Sequence, residues 1–497
     1  MSSNGRTRDF GSCNDGSNPS IPATRLNEVM HVMDSLCVLI MAAGKGTRMK
    51  SATPKVLQPL LGSPIIDYVI SSAESADIPP ENIAVLVGSG GELVEEHITR
   101  KFPNVKVLWQ HEQLGTGHAV KSAREWWKDY DSLLVLNGDV PLMKPESLRE
   151  LSSCCEKNDC TIITFEAENP GSYGRIIRGK NSVSIVEYKD ASPEQREIHE
   201  VNAGCYAFRV KSLLKVIDSI TNKNAQNEYY ITDALGLMNG AGMTTGALVL
   251  PEDEMQGVNT QAELAHVSRD MRMRILSRWM AEGVRMPDPE SVYIGVDAEL
   301  SPDAVIMPNV QIWGKSKIGS GCVVGSGSIL TNATLGDNVH IVAYAVIENS
   351  TLKDNVKAGP FCYIRDNTVL EAGAFAGKFV ELKNSHIGEG SKVPHLSYMG
   401  DATLGHDVNI GAGSITCNYD GEKKNKTFIG NNCFIGSDTM LVAPVELADG
   451  SATAAGSVIT QAVPENALGV GRARQKNIAD WSLHNHHHHK TTTEGEK

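Results

Sequence analysis

The chain is short of several things, and each shortage removes a class of function. Its 497 residues include no apolar run long enough to cross a bilayer and no leader pattern at the start, so the expectation is a soluble, cytoplasmic protein with no membrane partner. The ten cysteines form no CxxC and no paired metal spacing; Cys154 and Cys155 are adjacent and the rest are scattered, which suits free thiols in a reducing compartment rather than a disulfide framework. Positive charge is in deficit, 46 Lys and Arg against 59 Asp and Glu, and the resulting net charge of −13 argues against nucleic acid as a partner. The phosphate loop GxxxxGK[ST] is missing, and so is the dinucleotide GxGxxG, because Met49 stands where its third glycine belongs.

What is present changes character along the chain. Residues 1–34 are polar, rich in Ser, Asn and Gly, and are expected to form a flexible extension. From 35 to 260, apolar runs such as NIAVLVG, SLLVLNGD and CTIITFEA alternate with helical patterns such as PIIDYVISSAESA and GHAVKSAREWWKDY. That alternation predicts a mainly parallel sheet with helices on both faces and ligands beyond the carboxyl ends of its strands, an α/β Rossmann-like domain. Residues 261–284 read as one amphipathic linker helix ending at Gly283. From 285 to 467 aliphatic residues recur every six positions, as in Ile318, Val324, Leu330 and in Ile429, Ile435, Leu441. A period of six is neither helical nor simply alternating; it is the signature of hexapeptide repeats wound into a parallel β-helix, one aliphatic residue pointing inward from each flat side. The stretch TCNYDGEKKNKTF between Ile415 and Ile429 breaks the period and must leave the prism as a loop. Residues 468–497 read as a tail, and its run of histidines as part of that tail rather than as a metal site.

Positive charge concentrates at one place, LIMAAGKGTRMKSATPKVL, where a strand runs into small residues followed by Lys45, Arg48, Lys50 and Lys55. Small residues at 42–44 let a ligand approach the backbone, and the cations suit a phosphate chain. Asp139, just past the strand LLVLN, is placed to hold Mg²⁺ through oxygen. In WQHEQLGTGHA, Gln110 with the backbone of Gly115 and Thr116 can read a nucleobase.

These motifs, with YGRIIR, IVEYKDA, EVNAG, NEYYITD and GVN following in that order, resemble a sugar-1-phosphate nucleotidyltransferase. With the β-helix behind them, the chain from about 36 to about 475 resembles the bacterial bifunctional N-acetylglucosamine-1-phosphate uridyltransferase / glucosamine-1-phosphate acetyltransferase family, whose repeat domain is a left-handed β-helix. The resemblance implies that Met41, Ala42, Ala43, Gly44 and Lys55 hold the nucleotide of UTP, and that Gln110, Gly115 and Thr116 select uracil. It further implies that Gly174, Glu187 and Asn202 bind the N-acetylglucosamine and that Asp139 and Asn259 hold Mg²⁺. In the β-helix it makes His395 the general base. Arg365 and Lys383 would grip the sugar phosphate, and Tyr398 and Asn409 would orient the substrate. Ala412, Asn418, Tyr419, Ser437, Ala455 and Arg472 would accommodate acetyl-CoA. The partners implied are small-molecule substrates and two further copies of the chain, a homotrimer, with the loop 416–427 reaching a neighbour.

The chain departs from the family pattern in three places. Met41 replaces a usual Leu with a side chain of similar volume, and Asn137 stands where Tyr is common. The family's Arg-Pro-Gly is here Arg365-Asp366-Asn367, which sets a new carboxylate beside an anion-binding arginine and predicts weaker phosphate binding.

Overall fold

Where aliphatic residues run unbroken between turn residues, strands form with both faces covered. Leu36–Ala42 shows how. Val38 and Ile40 join a core with Ile66, Val69, Val94, Ile98 and Leu148. Cys37 and Leu39, pointing the other way, join a second core with Val120, Trp127, Leu213 and Leu235. A strand alternates its side chains with period two, so one apolar run serves both layers.

The computed structural model describes residues 35–481 apart from 45, 89, 181 and 225, so the expected N-terminal extension and the histidine run lie outside the described residues, as does Lys45. The chain divides into two compact units between Met271 and Arg272. The first is a sheet whose main path runs Thr245–Val249, Cys160–Glu166, Glu200–Arg209, Ser132–Asn137, Leu36–Ala42, Ile83–Val87, Lys106–Trp109. Leu36–Ala42 pairs in parallel with a neighbour on each side. The chain first builds outward on one side and then returns to the other, so the carboxyl end of this central strand is a topological switch point, where α/β folds bind ligands. The sheet is mixed rather than uniformly parallel, because Glu200–Arg209 runs antiparallel to both its neighbours.

The helical pattern over 117–130 is not one helix. It breaks at Ala123 into Thr116–Ser122 and Arg124–Trp127. The indole N–H of Trp127 donates to the Val120 carbonyl at 2.8 Å, taking an acceptor that a continuous helix would use for its own backbone. The long helix Gln261–Ala281 does form, and the break between the two units falls inside it. It begins with a capping box: Thr260 Oγ1 accepts from the Glu263 N–H at 3.2 Å, and Glu263 Oε2 accepts from the Thr260 N–H at 2.9 Å. It ends before Gly283, whose φ of 93° closes the turn.

Beyond it lies a left-handed parallel β-helix of three sheets with ten, nine and ten strands among the described residues. The aliphatic residues of the six-residue series, Ile318, Val324, Leu330, Ile429, Ile435 and Leu441 among them, are buried. The period is not uniform. It slips to five at Leu330–Leu335, Ile347–Leu352 and Leu382–Ile387, where one corner turns on a single residue of positive φ: Asn332, Asn349 and Asn384. Glycine has two uses here. Some glycines turn corners, but Gly325, in the body of a coil, is needed for stacking, since a Cβ there would overlap the Val342 carbonyl of the next coil.

Candidate active sites

At the switch point of the first unit a cavity of about 520 Å³ is lined by Met41, Ala42, Ala43, Gly44, Lys55, Gln110, Gly115, Thr116 and Asp139, nine of the residues expected to serve the nucleotide half. Gly44 faces open space, and an added Cβ would meet nothing within 4 Å. The turn itself is made at Gly46, with φ 57°, and a Cβ there would stand 2.8 Å from Lys55 Cβ. Gly46 therefore lets the segment carrying Lys55 close against the loop.

Lys55 Nζ forms an ion pair with Asp139 and donates to Asn259 Oδ1 at 3.1 Å. Arg48 Nη2 donates to the same Asn259 oxygen at 2.9 Å. Three segments far apart in the chain thus meet at the strand ends, where the side-chain oxygens of Asp139 and Asn259 face the positive charges of Lys55 and Arg48. Asn259 is steadied from behind, because its backbone N–H donates to Glu263 Oε2 at 2.6 Å. The capping carboxylate of the long helix therefore also locates a site residue. Sequence reasoning passed over Glu263, although the Thr-x-x-Glu spacing signals the cap.

Gln110 is buried, its amide donating to the Gly115 carbonyl at 3.4 Å and meeting His118 Nδ1 at 3.1 Å. Gln113, also missed, donates to the Ala43 carbonyl at 2.5 Å and ties the 110–116 loop to the loop after Leu36–Ala42. Nothing local in the sequence distinguishes Gln113 from any exposed glutamine.

Gly174, Glu187 and Asn202 form a separate group that does not line the cavity. The Asn202 N–H donates to the Gly174 carbonyl at 2.9 Å, and a Cβ on Gly174 would lie 3.5 Å from Glu187 Oε2. Burial holds the Glu187 carboxyl above its usual range, and the nearby Asp190 and Asp233 push the same way. Asn137, the departure from Tyr, lines the cavity and approaches the Ala203 carbonyl at 3.4 Å, between this group and the nucleotide side.

In the β-helix, Arg365 and Lys383 are neighbours in register on successive coils. Lys383 lies 3.9 Å from Asp401, which accepts from Asn418 at 2.6 Å; Asn418 in turn reaches Tyr398 Oη at 3.4 Å. Asp401, the hub of this chain of contacts, was not singled out from the sequence. Exposed His395 ends the strand Lys392–His395 on the adjoining side of the prism, one corner before Tyr398–Gly400. Asn409 lies one coil on, paired with Lys392. Ala412, Ser437 and Ala455 step down successive coils. The Asp438 N–H donates to the Ala412 carbonyl at 2.7 Å, and the Gly456 N–H to the Ser437 carbonyl at 2.8 Å. Counting the register down from Lys378–His395 puts this small-residue column beneath His395. Exposed Arg472 follows the last strand, Leu468–Gly469.

The aperiodic stretch is the expected loop, between the strands Ile415–Cys417 and Thr427–Ile429. Asp420 organises it, accepting from the backbone N–H groups of Lys423 and Glu422 at 2.8 and 2.9 Å and from the Asn425 amide at 2.8 Å; these bonds hold its carboxyl at about 2. Tyr419 is left exposed on the loop.

Comparison with known proteins agrees with both halves. The family described as MobA-like NTP transferase domain matches residues 38–217. Bacterial transferase hexapeptide (six repeats) matches 297–332, and hexapeptide repeat of succinyl-transferase matches 426–461. The chain is 44% identical over 453 residues to the bifunctional protein GlmU of Thermoanaerobacter pseudethanolicus, covering 90% of this chain and 98% of that protein. It is 43% identical over 449 residues to the protein of the same name from Fervidobacterium nodosum, covering 90% and 96%. No helix among the described residues is long and apolar enough to cross a membrane. With the nucleotide-type cavity and the β-helix cluster on one polypeptide, and this similarity along nearly its whole length, the chain belongs to the bifunctional GlmU family and joins a uridyltransferase unit to a glucosamine-1-phosphate acetyltransferase unit.

Proposed function

We propose that residues 285–467 acetylate glucosamine 1-phosphate with acetyl-CoA, and that residues 35–260 then transfer UMP from UTP to the N-acetylglucosamine 1-phosphate formed, releasing pyrophosphate and giving UDP-N-acetylglucosamine. The observation that carries the nucleotide half is the convergence of Lys55, Asp139 and Asn259 at the carboxyl ends of the strands. In the front site a phosphate oxygen of the sugar attacks the α-phosphorus of UTP. The protein contributes position and charge rather than covalent chemistry. Ala42–Gly44 leave room for the phosphates, and Lys55 and Arg48 neutralise charge on them. Gln110, Gly115 and Thr116 present amide and backbone groups to uracil. Gly174, Glu187 and Asn202 hold the sugar.

The oxygen donors Asp139 and Asn259 fit Mg²⁺, which takes one or two protein oxygens and completes its shell with phosphates and water. When bound there, the ion supplies further neutralisation of the phosphate chain.

In the back site His395 takes the proton of the attacking amine as general base. Arg365 and Lys383 hold the sugar phosphate, while Tyr398 and Asn409 orient the sugar. The thioester lies along Ala412, Ser437 and Ala455, with Asn418, Tyr419 and Arg472 contacting the coenzyme. The amine attacks the thioester directly, and no acyl-enzyme intervenes.

The acetyltransferase works as a homotrimer with shared sites, in the cytoplasm. Supporting the trimer is an exposed apolar ladder beside His395: Tyr344, Phe361, Phe379 and Leu396, all at positive φ, with the rings stacked at 5.4 and 5.6 Å. Bulky residues rarely adopt positive φ, and an exposed row of them points to a surface that another subunit covers. The test supplies glucosamine 1-phosphate, acetyl-CoA, UTP and Mg²⁺ and looks for UDP-N-acetylglucosamine. Omitting Mg²⁺ should stop the reaction at N-acetylglucosamine 1-phosphate; failure to form either product refutes the proposal. Sedimentation velocity reads the subunit number.

A further inference from the structure

The corner after Arg365 differs from those above and below it. Between inward-pointing residues the corners at Ile347–Leu352 and Leu382–Ile387 span five positions, whereas Ile364–Leu370 spans six. The backbone ladder identifies the extra residue. Asn367 donates to the Asn349 carbonyl at 2.8 Å, and Asn384 donates to the Arg365 carbonyl at 3.2 Å, so the ladder passes over Asp366. Asp366 and Asn367 both have positive φ, 56° and 63°.

The carboxylate of this supernumerary residue turns back onto the arginine, with Arg365 Nη1 to Asp366 Oδ2 at 2.6 Å. The other edge of the guanidinium is also taken, since Nε and Nη2 donate to Glu381 Oε1 at 3.1 and 2.8 Å. All three nitrogens of Arg365 therefore already face carboxylate. Lys383 is less committed: its nearest carboxylate, Asp401, is 3.9 Å away and accepts from the amides of Asn384 and Asn418 at 2.6 Å each.

We infer that Asp366 is a built-in competitor of the substrate phosphate at Arg365, leaving Lys383 as the principal phosphate-holding cation and weakening the affinity for glucosamine 1-phosphate. The inference rests on the acetyltransferase reading above. A phosphate that engages Arg365 bidentately must displace a carboxylate already hydrogen-bonded to the same fork. Asp366 is a positioning residue that acts through Arg365 and not a group that touches the reacting atoms. The pair is partly solvent-exposed, so the competition is modest rather than prohibitive.

The experiment measures kcat and KM for glucosamine 1-phosphate in acetyl transfer by the full chain, by Asp366→Asn and Asp366→Gly, and by each of these combined with Arg365→Ala. Asn and Gly both tolerate positive φ, so the corner keeps its shape in both variants. The expected result is a KM lowered about two- to five-fold by either substitution, with kcat changed less than KM. Arg365→Ala should raise KM more in the Asp366→Asn background than in the unaltered protein, because only there is the Nη1 edge of the arginine free for phosphate. A KM that stays the same or rises in both Asp366 variants overturns the inference while leaving the acetyltransferase reading intact. Absence of acetyl transfer by the unaltered protein overturns both.

Discussion

Replacing Gly115 with alanine tests whether the loop proposed to read the base is held by its backbone. Gly115 has φ 111° and ψ 175°, a conformation essentially reserved for glycine. A Cβ added there would stand 2.6 Å from the Tyr229 carbonyl oxygen and 2.9 Å from the Tyr229 nitrogen. Those same two groups secure the loop, the carbonyl accepting from Gly117 at 2.7 Å and the N–H donating to Leu114 at 2.8 Å. Alanine thus meets backbone strain of about 1–3 kcal/mol. It also disturbs two hydrogen bonds worth roughly 0.5–1.5 kcal/mol each. A total of about 3 kcal/mol, expressed as displacement of the loop from its binding form, corresponds to about a hundredfold weaker UTP binding. The assay is uridylyl transfer at varied UTP, with acetyl transfer by the same preparation as the control for folding of the other unit. The expected result is a KM for UTP raised about a hundredfold and an unaltered acetylation rate. A KM within about threefold of the parent would refute the claim that this strained turn positions the base.

Other perturbations separate the two halves. Asp139→Ala should abolish uridylyl transfer alone and His395→Ala acetyl transfer alone, read in separate assays, the first supplied with N-acetylglucosamine 1-phosphate and UTP and the second with glucosamine 1-phosphate and acetyl-CoA; if either substitution silenced both, the assignment of independent sites would fail. Ser437→Leu fills the small-residue column and should raise KM for acetyl-CoA roughly tenfold or more with little change in KM for glucosamine 1-phosphate, a split that loss of folding would not give. Glu187→Gln should alter the pH dependence of stability. Burial, helped by Asp190 and Asp233, keeps this carboxyl above its usual range, so the native state holds the proton more tightly than the unfolded chain. The group's contribution is therefore largest at low pH and declines as pH rises through its raised folded value, and glutamine removes that decline. Thermal midpoints from about pH 4 to about pH 7 should show the variant gaining on the parent, and a constant offset would contradict the burial argument.

Much of the molecule is legible along the chain because it is local. A strand buried on both faces has to be apolar throughout, as Leu36–Ile40 is, and a prism side has to point one aliphatic residue inward per six, as at Ile318, Val324 and Leu330. These are properties of backbone geometry over a few residues, so composition and period alone determined the two architectures and their order. Gly115 and the Thr260–Glu263 cap were within reach for the same reason.

Only the tertiary structure decided which charges meet. Lys55 finds Asp139 and Asn259 across separations of 84 and 204 positions, because sheet order, not sequence, brings those strand ends together. Ala412, Ser437 and Ala455 align although a loop makes one interval longer than the other, since register skips whatever leaves the prism. The sequence places Asp366 beside Arg365, but adjacency does not say where a carboxylate points; the extra corner residue turns it onto the guanidinium, and the next coil brings Glu381 to the opposite edge. Long-range pairing depends on the summed lengths of every intervening coil and crossover, and no local pattern carries that sum.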